Sequence, residues 1–132
     1  MFVSKRLKFF FMFYFPILVW MGFIFLLSSI PSLKTGASIP VELIFRKFAH
    51  LTEYAILVWL FARIFYQLCH LSLRMTFIFS LLGVFLFSLS DEFHQFFVVG
   101  RSGNFFDVGF DLLGAVIGLI ILWKYVVLNN KK

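Results

Sequence analysis

A chain of 132 residues has room for a single domain, and this one is 62% hydrophobic and 22% aromatic with 14% charged residues. Soluble domains carry about 45–50% apolar and about 25% charged residues, so a composition with 22 phenylalanines excludes an ordinary water-exposed bundle. The net charge of +6 does not signal nucleic acid, because the basic residues lie at the ends of apolar runs and not along an exposed basic face.

The first apolar run, residues 9–30, follows Lys5, Arg6 and Lys8 and ends at Ser28-Ser29-Ile30-Pro31. It exceeds the roughly 7–15 apolar residues of a signal peptide and reads as a retained transmembrane helix. A polar interval, residues 32–46, contains Lys34, Gly36, Pro40 and Glu42 and reads as a loop with a short interfacial segment at 41–45. The second span, residues 47–68, is interrupted by His50, Glu53 and Arg63. A third, residues 75–96, carries Asp91, Glu92, His94 and Gln95 near its end. After a Gly100-Arg101-Ser102-Gly103 turn, the fourth covers residues 105–127, with Asp107 and Asp111 near its start. Short connections make this an all-α, antiparallel four-helix membrane bundle. Arg63 reads as a snorkelling residue, His70 as a loop residue, and the tryptophans as lipid-facing or packing residues. Cys69 is the only cysteine, so neither an intrachain disulfide nor a paired-cysteine zinc motif is available.

Charge bias orients the bundle. One side gathers Lys5, Arg6, Lys8, Arg63, Arg74, Lys124, Lys131 and Lys132 with no acidic residue. The other holds Lys34, Arg46, Lys47 and Arg101 with Glu42, Glu53, Asp91, Glu92, Asp107 and Asp111, every acid in the chain. The positive-inside rule then places both termini in the cytoplasm and the acidic side outward.

An ionised side chain at a span's centre costs about 2.5–3.5 kcal/mol on insertion scales, so these groups should face the bundle interior or a wet cavity. Their spacing agrees. Lys47, His50, Glu53 and Tyr54 share one helical face, as do Ser88, Asp91 or Glu92, and Gln95. Asp107, Asp111, Gly114 and Gly118 share another, and the small-xxx-small pair permits close helix approach. It is also compatible with a homo-oligomer. Carboxylates at the end of the third helix oppose its macrodipole, which calls for a nearby cation: Arg101, a lysine or a metal. Simpler roles stand beside these. Lys47 can mark the membrane boundary, His50 can be a hydrogen-bonded interior histidine, and Glu53 can pair with Lys47 or Arg101. Asp107, with Asn104, suits the first turn of the fourth helix.

The chain resembles the VanZ-like family of bacterial membrane proteins. The resemblance rests on Ser28-Ser29-x-Pro31, Lys47-x-x-His50-x-x-Glu53-Tyr54, Asp91-Glu92-x-x-Gln95-x-Phe97-x-x-x-Arg101 and Asp107-x-x-x-Asp111-x-x-Gly114-x-x-x-Gly118, in that order. Position 111 is often asparagine in the family, and His94 receives no role from it. The resemblance implies residence in the bacterial cytoplasmic membrane and an association with low-level teicoplanin resistance.

Three functions compete. An outward polar site can engage a lipoglycopeptide or a lipid-linked envelope precursor and lower drug susceptibility. Alternatively, His50, Glu53, Asp91, Glu92, Asp107 and Asp111 can assemble an oxygen-rich Mg²⁺ or Mn²⁺ site, with Lys47 and Arg101 holding a lipid-linked phosphate and His50 as general base. No Asp-Asp-x-x-Asp pattern, glycine-rich phosphate loop or His-Glu-x-x-His motif supports that chemistry, and no resident cofactor is expected beyond such a cation. Thirdly, the ionic groups can fix helix register within a larger complex.

Overall fold

The computed structural model describes residues 5–31, 39–101 and 103–129. Lys34, Gly36, Ser102, Lys131 and Lys132, which enter the charge and loop assignments above, lie outside the described residues, as does the side chain of Glu42. Four long helices make up the described chain: α1 (Lys5–Ser28), α2 (Ile39–Arg63), α3 (Leu73–Gln95) and α4 (Phe105–Asn129). A π-helical turn, Ile64–Leu68, extends α2. Among the described residues there is no β-strand.

The segments Lys5–Ser28, Leu43–Leu68, Leu73–Gln95 and Phe105–Val126 are each long and apolar enough to cross a membrane. At about 1.5 Å per residue, the shortest still reaches across a hydrocarbon core of roughly 30 Å. Helix is the form such runs take in lipid, because it satisfies the backbone N–H and C=O groups within the segment.

The helix boundaries follow the apolar runs except at α2, which begins at Ile39 and not near residue 47. Residues 41–45, expected as an interfacial stretch within a loop, are the opening turns of this helix. A proline at position 40 is compatible with that early start, because a first-turn residue has no intrahelical partner for an N–H to lose. Between the π-turn and α3, His70 adopts a left-handed φ of 51°, a region that histidine enters more readily than bulkier residues do. The Ser72 hydroxyl then accepts the Met75 N–H and caps α3.

Helices α2 and α4 share the most extensive contact of the bundle, and two glycines set its distance. A Cβ added at Gly114 would lie 2.4 Å from the Leu51 carbonyl oxygen, and one at Gly118 would lie 2.7 Å from that of Ala55. Neither separation is tolerable for a carbon, so glycine is what lets the two backbones touch. The glycine pair therefore serves a contact inside the chain. Trp59 seals the seam by donating its Nε1–H to the Gly118 carbonyl at 2.6 Å. Trp20 of α1 likewise donates to the Glu53 carbonyl at 2.9 Å. These two tryptophans thus do more than the packing expected of them, since an indole N–H in a dry interior needs an acceptor. Tyr54, Leu57 and Val58 of α2, Val84 and Phe87 of α3, Ala115 and Leu119 of α4, and Ile17 and Ile24 of α1 form the buried core. Phe45, Phe93, Phe97, Phe105 and Phe106 point outward, where lipid would cover them.

Substituting Gly114→Ala should therefore cost about 1–3 kcal/mol of folding stability, the range for overpacking. Gly22→Ala, with nothing within 4 Å of the added carbon, should be neutral or slightly stabilising. Thermal or denaturant unfolding of the two variants in detergent measures the difference.

Candidate functional site

The polar side chains collect at the end of the bundle where α1 and α3 finish and α2 and α4 begin. At its centre, His50 Nδ1 lies 2.9 Å from Asp111 Oδ1. The other oxygen, Asp111 Oδ2, accepts the Ser88 hydroxyl at 2.5 Å. One carboxylate thus binds α2 and α3 to α4, and it is fully buried. The Gly114 close approach, one turn further along α4, brings Asp111 within reach of His50. Tyr54 stacks against His50 with ring centroids 6.2 Å apart, and its buried hydroxyl lies beside Ser88.

A second group joins α3 to α1. Asp91 Oδ2 accepts the Ser28 hydroxyl at 2.7 Å and the Gln95 amide at 3.1 Å. Arg101 Nη1 donates to Gln95 Oε1 at 3.4 Å. The rest of the guanidinium is directed at α1, giving 3.1 Å hydrogen bonds to the carbonyls of Leu27 and Ile30. Leu27 lies in the last turn of α1, where its carbonyl also accepts the Ile30 N–H at 3.2 Å, and Ile30 lies just past the helix. Arg101 thus ties the α3–α4 turn to the end of α1. Partial burial lowers the affinity of its guanidinium for the proton, and the like charge of Arg46 acts in the same direction. Arginine remains charged in spite of this.

Glu92 faces α4 instead. Its Oε2 accepts the Asn104 backbone N–H at 2.7 Å, and Asn104 Oδ1 accepts the Phe106 N–H at 3.2 Å to cap α4. At the rim, Lys47 Nζ lies 3.7 Å from Asp107 Oδ1 and 3.6 Å from the centre of the Phe110 ring. His94, for which the sequence offered no role, contacts Ser29 through Nε2 at 2.8 Å. Because the Ser29 hydroxyl donates to the Phe25 carbonyl, the histidine is the donor in that contact.

The ten polar residues singled out from sequence therefore share one end of the fold but form several small groups. Glu53 is 7% exposed, yet among the described residues it pairs with neither Lys47 nor Arg101. The cation expected beside Asp91 and Glu92 is likewise not their direct partner. Neutral donors fill that place: Ser28 and Gln95 for Asp91, and the Asn104 N–H before α4 for Glu92. The positive end of the α4 dipole supplies the complementary charge. Ser28 and Ser88 were not among the expected site residues. The signal for Ser88 was its position on the Asp91 face of α3, and Ser28 opens the Ser28-Ser29-x-Pro31 motif.

Among the described residues, no three His, Cys, Asp or Glu side chains come together to hold a metal ion. Two carboxylate oxygens nevertheless remain unsatisfied. Asp91 Oδ1 and Glu92 Oε1 are buried without a hydrogen-bond partner, although burying a polar atom unpaired costs about 1–3 kcal/mol.

Four apolar helices that converge on a buried polar layer define a multi-pass membrane protein. The sequence profile of the family described as VanZ/LLP1 matches residues 11–128, and the chain belongs to that family. No curated protein and no solved structure matches it.

The His50–Asp111 contact should behave as an energetic unit. His50→Ala, Asp111→Asn and the double variant should show a coupling of about 0.6–1.7 kcal/mol in unfolding measurements, the scale that double-mutant cycles give for interhelical hydrogen bonds in membranes. Strict additivity would mean that the pair contributes nothing to helix association.

Proposed function

We propose that this VanZ/LLP1 protein crosses the bacterial cytoplasmic membrane as an antiparallel four-helix bundle with both termini in the cytoplasm. The polar layer then opens toward the outer face. There it engages a lipoglycopeptide or a lipid-linked envelope precursor and lowers susceptibility to teicoplanin. The positive-inside distribution supports the orientation, and the family's association with teicoplanin resistance supports the phenotype.

The observation that carries the reading is the pair of unsatisfied acceptors, Asp91 Oδ1 and Glu92 Oε1. Buried polar groups are almost always paired, and ionisable residues within a span mark function by default. Glycopeptides and cell-wall precursors are rich in amide N–H and hydroxyl donors, which is the chemistry these oxygens lack. Arg101 is committed to the carbonyls of α1 and to Gln95, which favours a binding role over phosphate capture and catalysis at this end.

A register-fixing role is the second reading, and one observation favours it: hydrogen bonds from the same layer tie all four helices together. The two readings separate in one experiment. The gene is deleted and complemented with wild type or with an Asp91→Ala, Glu92→Ala variant, and teicoplanin and vancomycin susceptibility is measured beside protein abundance. Loss of teicoplanin protection at undiminished abundance supports a binding site. Parallel loss of protein and protection supports the structural role, and protection equal to wild type removes the two carboxylates from this function.

A further inference from the structure

The opposite end of the bundle carries a cavity that the polar layer does not explain. It measures about 410 Å³ and lies among α2, its π-helical extension, α3 and α4. Leu60, Ala62, Phe77 and Leu122 give it apolar walls, while Arg63 and Gln67 stand at its polar side. A second, almost wholly apolar groove of about 320 Å³ continues along α3 and α4 past Leu81, Ile120 and Trp123, with Phe77 in the wall of both. The result is an amphipathic slot with one charged end and one oily end.

The charge at that end has a single sign. The guanidinium of Arg63 lies 5.2 Å from the Phe13 ring of α1, and among the described residues it forms no ion pair. Arg74 and Lys124, both exposed, occupy the same end, and every acidic side chain described is at the other one. The π-turn, Ile64–Leu68, immediately follows Arg63 and contributes Tyr66 and Gln67 to the cavity. Tyrosine at a membrane boundary sits at headgroup depth, and arginine offers a planar fork of donors matched to a phosphate.

We infer that this slot is a binding site for one anionic phospholipid, its acyl chain along Phe77, Leu81 and Ile120 and its phosphate at Arg63. A zwitterionic lipid would fill the apolar part equally well but would leave the cationic end less well matched. The site is separate from the polar layer and does not depend on how that layer functions.

The purified full chain, in detergent micelles, is titrated with phosphatidylglycerol or with phosphatidylcholine of identical acyl chains, and bound lipid is counted by native mass spectrometry. One phosphatidylglycerol should be retained roughly fivefold more tightly than phosphatidylcholine, the scale for one basic residue facing anionic lipid. Arg63→Gln should bring that ratio close to one, whereas Arg63→Lys and Lys124→Gln should preserve most of it. Ile120→Trp, which fills the oily end, should weaken retention of both lipids. Equal retention of the two lipids by the wild type, or a preference that survives Arg63→Gln, would overturn the assignment. The Arg63→Lys variant guards against misfolding, because a preference lost there as well, in a folded chain, also counts against a charge-based site.

Discussion

The distance between α2 and α4 governs the rest of this molecule. Two glycines one turn apart let backbone meet backbone, and a side chain at 114 would collide with the Leu51 backbone and force the helices apart. Such packing is how helices associate where lipid supplies no hydrophobic drive. It also fixes the polar chemistry, because Asp111 lies on the same face as Gly114 and meets His50 only when the seam is closed. Position, and not charge count, makes that carboxylate tolerable in a membrane.

The polar layer is unusual in how its charges are compensated. Five acidic side chains are described, and only Asp107 has a lysine partner and Asp111 a histidine. Asp91 and Glu92 rely on a hydroxyl, an amide and a backbone N–H. These hydrogen bonds leave one oxygen on each group uncommitted. Arg101, the obvious counter-ion from sequence, is used instead to tie the α3–α4 turn to the end of α1. Its removal would leave the Ile30 carbonyl without this donor and release Gln95.

Much of this was legible in the residues. The four spans follow from apolar runs too long for any other use, and the spacing of Asp107, Asp111, Gly114 and Gly118 placed carboxylates and glycines on one face before any partner was known. What escaped were relations across the chain. Ser28 and Asp91 are 63 positions apart, and nothing local distinguishes that serine from Ser29 or Ser32. The cation expected near Asp91 and Glu92 is Arg101, which acts on them through space. Their direct donors, however, come from the end of α1, from α3 itself and from the residue before α4. The early beginning of α2 was hidden because a polar, proline-bearing stretch resembles a loop when helix and lipid contact are read from hydropathy.

The contact order of the seam has a consequence for biosynthesis. His50 and Asp111 are separated by 61 positions, and Trp59 and Gly118 by 59, so α2 enters the bilayer well before α4 has been made. During that interval His50 and Glu53 lack the neighbours that later enclose them, on the least apolar of the four spans. Chains are made from the N-terminus at a finite rate, and an unpaired ionisable group in lipid is costly throughout. The nascent protein is thus at its most vulnerable between its second and fourth helices, and its last helix is the one that completes the fold.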